Sequence, residues 1–512
     1  MRRTVLMITV IAAAIMELID TSIVNVALSY MSGNLGATLE DTSWVITAYA
    51  IANVIIIPIT SFLSARLGRR NYYIGSVILF TIFSFLCGQA TNIWMLVICR
   101  FFQGMGGGAL LSVSAAIVYE LFPREKQNVA SALFGVGVFV GPTIGPTLGG
   151  FITENFSWPW IFYINLPIGI AVAIICSRLL GEPAIKPTVG KIDWTGILLL
   201  AAGVGSLQIV LERGETDDWF AAGYIIILSL VALIGLSGFI WWELKVKSPV
   251  VNLRVLKSKN LSIAAALTFV SGIGLFSSVF LTPVYAQRLL GFTPTATGLL
   301  LLPGALFAIG GLLITARLLQ RGTPPVVMIT LGMFLFIFFT WQMSRLDLDA
   351  GSGDFYIPLI WRAVGIAIIT VPLSTLAISG LELKDMPQGT ALNNMMRQLG
   401  GSFGIAMVNT FITRRNAVHR TDLVSHITAG DPQVAERLTG YTHFFVNKGS
   451  GVFDAQRQAL GLLDANVVRQ SNALSFGDTY LLLGCIFLVS LPLLFLSSRK
   501  RGKKPQVAIA DH

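Results

Sequence analysis

Apolar runs of about twenty residues, each long enough to cross a ~30 Å hydrocarbon core, recur along the whole chain between short polar breaks. About fourteen are present. In lipid each backbone polar group has to be satisfied inside the protein, so such runs are expected to become helices packed into one bundle. The composition agrees: 54% of the 512 residues are hydrophobic and only 12% charged, which excludes an ordinary soluble protein. The fold class expected is an all-α integral membrane protein. The first run is too long for a signal peptide, lacks a small-residue cleavage site and is followed directly by a second run, so it is read as a retained helix.

The net charge of +10 does not point to nucleic acid, because the basic residues fall on one side of the bundle. With both termini cytoplasmic, inside segments such as "RLGRR", "FPREK", "KVKSPVVNLRVLKSK" and "SSRKRGKK" hold roughly 23 Lys and Arg against about 10 outside. An even number of spans then brings both ends to the cytoplasm. The four cysteines show no CxxC spacing, and the histidines of the last outside loop are not spaced as metal ligands. No metal or other cofactor is expected.

Two stretches match at an offset of eight spans: "ARLGRR" (65–70) with "ARLLQR" (316–321), and "LVICRFFQGMGGG" around Arg100 with "LIWRAVGIAIITVP" around Arg362. Internal symmetry of this kind is common in transporters. It suggests two six-helix halves with an inserted pair, 6+2+6. The boundaries expected are 1–185 for the first bundle, 186–245 for the inserted helices, 246–260 for a cytoplasmic linker lying along the leaflet, and 261–512 for the second bundle. Residues 414–475 read as a long extracytoplasmic loop with one amphipathic stretch.

Chemistry concentrates where polar residues interrupt apolar runs. Glu17 and Asp20 share one face of the first span. A carboxylate at mid-bilayer costs about 2.5–3.5 kcal/mol even on the lenient scales, so both are expected to face the interior, handling protons or standing as permanently paired structural acids. Arg100 in span 4 needs an anionic partner for the same reason, and a carboxylate of span 1 is the candidate. Gly104, Gly106, Gly107 and Gly108 follow it and permit close helix contact. "GVFVGPTIGPTLGG", from Gly137 to Gly150, repeats Gly-Pro in span 5 and reads as a kinked, closely packed helix, either rocking or static. A substrate pocket is expected at the midplane between halves. Phe276, Phe280, Met395 and Met396 would offer adaptable apolar contacts there, and Glu17, Gln103 and Arg397 polar ones. No P-loop, nucleophile elbow or HExxH motif is present, so neither an ATP-driven pump nor a hydrolase is indicated.

The chain resembles the fourteen-helix drug/proton antiporter branch of the major facilitator superfamily, of the EmrB type. The resemblance rests on "LIDTSIVNVAL", "ARLGRR", "RFFQGMGGGAL", "GVGVFVGPTIGPTLGG", "WPWIFYINLPIG" and "DWTG". It implies export of hydrophobic compounds against inward proton flow by alternating access, in a bacterial inner membrane. Under it Asp20 and Arg100 form the proton-linked pair, with Glu17 beside the substrate path. Gly137, Gly141, Pro142, Gly145, Pro146 and Gly149 belong to the rocking helix, and Arg66, Gly68, Arg69 and Arg70 to a cytoplasmic gate. Ala65 and Ser61 stand where the family usually has an acid and a glycine, so a gate locked by that acid is not expected. The resemblance also implies a periplasmic adaptor and an outer-membrane channel as possible partners. Alternatives on the same fold are transport of one metabolite, siderophore or fatty acid, or a sensor that moves nothing.

Overall fold

A computed structural model describes residues 2–122, 127–181, 193–246, 249–379, 381–382, 385–428 and 430–496. The basic stretches "FPREK" and "SSRKRGKK" and the start of the inserted region lie wholly or mostly outside these residues. Among the described residues the regular structure is entirely helical. The first half comprises α1 (Arg2–Leu35), α2 (Leu39–Leu67), α3 (Arg69–Gly88), α4 (Ile93–Leu121), α5 (Gln127–Asn155), the single turn α6 (Trp160–Tyr163) and α7 (Asn165–Leu179). The inserted hairpin is α8 (Trp194–Arg213) and α9 (Gly223–Lys245). The second half comprises α10 (Lys259–Arg288), α11 (Pro294–Gln320), α12 (Pro325–Met343), α13 (Ser352–Ile378), α14 (Met386–Ser425), α15 (Pro432–Asn447) and α16 (Val452–Ser490).

Twelve helices among the described residues are long and apolar enough to span a membrane. The other two of the expected fourteen, α5 and α14, are helices inside the bundle, where α5 packs on α1 and α11 and α14 on α10, α16 and α2. Their Gly, Pro and polar content reflects contact with protein rather than lipid. The outward faces are apolar: α9 presents Ile227, Leu230, Leu233 and Ile234, all well exposed. A surface like this is stable only against hydrocarbon.

Local chemistry starts and stops the helices. The side chains of Thr38, Asn92 and Asp193 accept from backbone N–H groups at the N-termini of α2, α4 and α8. Gly68 turns the chain between α2 and α3 with φ +83°, a conformation glycine adopts without penalty. Helix α5 continues unbroken through Pro142 and Pro146. Its glycines sit against α1, where a Cβ on Gly141 would press on Leu18, one on Gly145 on Ser22, and one on Gly149 on Ile23.

One expectation is corrected. Residues 414–475 are mostly helix: α14 and α16 run on past the bundle, and α15 packs on α16. At 1.5 Å per residue the 40 residues of α14 reach about 60 Å, roughly twice the hydrocarbon thickness. Arg415 and His419 both meet Asp478, and Arg420 meets Asp464, which clamps the two extensions together. In the linker, Val250, Val251 and Val255 are buried in an apolar cluster with α2, α8 and α14. The sixth span is made of α6 and α7 in direct succession.

The inserted hairpin joins the halves. Helix α8 packs on both α2 and α14. Beyond the middle of α8, Arg213 donates to Ser43 of the first half at 2.7 Å, while Gln208 donates to Ser402 (2.9 Å) and Trp219 to Thr410 (3.1 Å) of the second. Glu215 lies just past α8. Burial pushes its pKa up, but hydrogen bonds with Thr410, Trp219 and Thr413 and the charge of Arg414 hold it, on balance, below the ordinary glutamate range. It is therefore ionised at neutral pH, and its support for this junction is lost as pH falls through that lowered value.

Candidate functional site

The glycines of α4 build the first site. Gly104 and Gly108 lie so close to the backbone of α2 at Tyr49 and Asn53 that a Cβ on either would collide, and Gly107 faces the Tyr49 hydroxyl. This approach carries Tyr49 and Asn53, one helical turn apart, to the acids of α1. Arg100, near the outer end of α4, then lies with its guanidinium carbon 4.1 Å from the Tyr49 ring centroid.

Arg100 and Asp20 form an ion pair of 2.5 Å with both side chains almost completely buried. Asp20 also accepts from Gln103 (3.0 Å) and from Asn165 of α7 (2.8 Å). Arg100 donates further to the Gln103 side-chain oxygen (2.8 Å) and to the Val45 carbonyl (3.3 Å). The Asn165 amide is itself positioned by Ser84, 3.0 Å away. A charged pair withdrawn from water survives only when its remaining lone pairs and protons are satisfied, and here the neighbours supply those bonds. Removing either partner would strand a charge.

Glu17, one turn earlier, has no cation bonded to it among the described residues. One oxygen accepts from Asn53 (2.9 Å) and Tyr49 (3.3 Å), and the other is buried without a partner. Charge is thus balanced at Asp20 and not at Glu17. Gln103, expected at the substrate, belongs instead to the Asp20–Arg100 network and is fully buried.

A second feature lies between the halves. Helices α4 and α5 face α13 and α14 around a cavity lined in part by Tyr119, Phe134, Ser374, Asn393, Asn394 and Arg397. Of the residues expected to bind substrate, only Arg397 lines it. Met395 is buried in the apolar cluster shared with α2 and α8. Phe276 and Phe280 pack at the edge of the second-half core, Phe276 over Gly401. Glu17 is enclosed in the first half. Met396 is partly buried and is not in the cavity wall.

At the basic end, Arg69 at the start of α3 pairs with Glu120 near the end of α4, and Arg70 donates to the Ser177 carbonyl of α7. With Ala65 in place of the usual acid, the anion at this turn comes from α4. Tyr49, Asn53 and Asn165 were missed in the sequence reading. Each is a polar residue inside an apolar run, and Tyr49 and Asn53 are four apart, as residues on one helix face must be.

The description "Major Facilitator Superfamily" matches residues 10–405. The chain belongs to the major facilitator superfamily. This is a family of transporters rather than enzymes. Among its relatives, the fatty acid resistance protein FarB of Neisseria gonorrhoeae is 32% identical over 488 residues, 95% of this chain and 94% of that one. The multidrug export protein EmrB of Escherichia coli K12 is 32% identical over 494 residues, 96% and 94%. The crystal structure of the human organic anion transporter MFSD10 shares the fold at 13% identity, with a TM-score of 0.60, covering 96% of this chain and 99% of that one. The chain is accordingly a multi-pass membrane transporter of the major facilitator fold.

Proposed function

We propose that this superfamily member is a drug exporter that drives hydrophobic compounds outward across a bacterial inner membrane in exchange for protons. The observation that carries the reading is the buried pair of acids on α1, one charge-balanced by Arg100 and one not. A protonated Glu17 leaves no buried charge without a counter-ion. If α4 shifts against α1 within the first half during the transport cycle and takes Arg100 away, Asp20 takes up the need for a proton, so each conformation favours a different proton count. One proton moving through 100 mV supplies about 2.3 kcal/mol, enough to hold a neutral compound at a gradient of roughly fiftyfold. Full-length similarity to exporters named for multidrug export and fatty acid resistance supports the direction of transport.

We assign the extended α14–α15–α16 hairpin to a periplasmic adaptor that leads to an outer-membrane channel. Phe453 and Val452 at its turn are strongly exposed, and the hairpin lies at the end opposite the basic loops. Copurification tests this assignment, because a hairpin-shortened chain should lose an adaptor that the full chain retains.

Proteoliposomes with an imposed proton gradient test the main reading. Wild type is expected to move ethidium against its gradient and to acidify the compartment that protons enter, with both signals abolished by an uncoupler. Glu17→Gln should lose the proton signal and accumulation while retaining downhill exchange. Accumulation that persists in uncoupled vesicles would falsify proton coupling.

A further inference from the structure

The "DWTG" stretch opens the inserted hairpin, and the transport site makes no use of it. Asp193 caps α8, where its Oδ1 accepts from the Gly196 N–H at 2.9 Å and both its oxygens accept from Trp242 Nε1 at 2.9 Å. Glu243, next to Trp242 on α9, is completely buried, and neither of its oxygens has a hydrogen-bond partner. A Cβ on Gly196 would lie 2.6 Å from Glu243 Oε1 and 2.7 Å from Asp193 Oδ2. The two carboxylates therefore face each other across a bare Cα, no more than about 5 Å apart, close enough for each charge to oppose the other.

Among the described residues no cation offsets them, and Asp193 is the one charged group that acts on Glu243. Of the basic side chains nearby, Lys245 lies over the Trp241 ring at 3.9 Å, and Arg254 donates to the Leu244 and Val246 carbonyls at 2.8 and 3.2 Å. Glu243 is covered by the linker to α10. The backbone N–H groups of Val250 and Val251 approach it without reaching hydrogen-bonding geometry, and both valine side chains are buried. The next residue, Asn252, donates its N–H to Gln388 of α14 at 3.1 Å. The seat of the linker thus spans the hairpin and the second half, and it holds two acids without a counter-ion. Two negative charges closed off from water would repel each other and lose their hydration. A single proton bound between them removes one charge and supplies the missing donor.

We infer that Asp193 and Glu243 bind one proton between them and that this proton holds the linker in its seat. When the proton leaves, Glu243 needs water, which reaches it when Val250 and Val251 lift. The seated state then holds more protons than the lifted one, so low pH favours seating and rising pH releases it. A metal ion fits the pair less well, because no third His, Cys, Asp or Glu joins it among the described residues and two enclosed carboxylates leave most of a metal's coordination positions empty. The site stands apart from the export reading, since seating needs neither substrate nor gradient.

The test uses purified full-length protein in lipid nanodiscs. Hydrogen exchange of residues 249–258 is followed from mildly acidic to mildly alkaline pH and corrected for the intrinsic pH dependence of amide exchange. Wild-type exchange there is expected to speed up with pH by up to about tenfold per unit, the most that one linked proton allows. Infrared difference spectra should show a carboxylic acid band that disappears over the same range. Glu243→Gln, a neutral side chain of the same shape, should keep the linker seated at every pH and abolish both the band and the dependence. Asp193→Asn should flatten the dependence, because one charge facing two backbone N–H groups is tolerated. Wild-type exchange that ignores pH, or an unchanged dependence in a folded Glu243→Gln, overturns the assignment. So does protection at alkaline pH by added sodium or magnesium ions, which would put a metal ion in the pair. If the linker behaves as expected but the vesicles show no proton-driven movement of ethidium, the export reading fails and the proton latch stands.

Discussion

Asp20→Asn is expected to reduce drug efflux to the level of cells lacking the protein. The substitution keeps the shape of the side chain and leaves partners for Gln103 and Asn165, so the loss is one of charge. Arg100 is then buried without a counter-ion, a situation that costs about 3–5 kcal/mol when one member of a buried pair is removed. Thermal unfolding of the purified protein should therefore fall along with transport. The double variant Asp20→Asn/Arg100→Gln removes the stranded charge, and it should recover much of the stability while remaining inactive. That split distinguishes a charge used in transport from one that only holds α1, α4 and α7 together. Efflux by a folded Asp20→Asn at the wild-type rate would place the proton elsewhere.

Gly141→Val should be nearly as damaging, for a steric reason. The Gly141 position lies against Leu18 with no space for a Cβ, and a branched side chain would force α5 away from α1. Overpacking of this kind costs about 1–3 kcal/mol in stability, and the effect on transport should be larger, because α5 also packs along α11 of the opposite half. Gly137→Ala supplies the internal comparison. A Cβ there lies 3.1 Å from Ile15 Cγ1 and 3.3 Å from Ile11 Cγ2, side-chain neighbours that need give only a few tenths of an ångström, so most activity should remain. Efflux rates at matched membrane abundance, together with melting temperatures, separate the two positions. Equal loss at both would argue against a sliding contact centred on Gly141.

The broad fold was legible in the sequence because lipid imposes a simple rule on apolar runs, and the pairing of Asp20 with Arg100 followed from the cost of leaving either charge alone in a membrane. The cavity was harder to find. Met395 and Met396 were singled out for their adaptability, yet Thr390, Asn393, Asn394 and Arg397 recur at helical spacing and define the face of α14 that is turned to the cavity. Polarity was the better guide to that face. Gln103 was read as a polar contact in the substrate pocket, whereas a residue one turn from a buried charge is well placed to satisfy it, as Gln103 does for Arg100 and Asp20. The long hairpin was read as a loop because its helices are too polar to resemble spans. Their stability comes from clamps such as Asp478 with Arg415 and His419, which depend on pairings 59 to 63 residues apart.

The ties from α8 to both halves have a consequence for where cargo leaves. Gln208, Arg213 and Trp219 stitch α2 and α14 to one upright, as a spine holds two covers of a book. Across the interface α5 packs along α11, and near the same end Thr295 donates an exposed hydrogen bond to Glu154 at 3.1 Å. Covers bound on one edge part on the other, so the outward mouth should form as a wedge beside α5 and α11. Compounds would then depart sideways, on the flank facing away from the inserted hairpin.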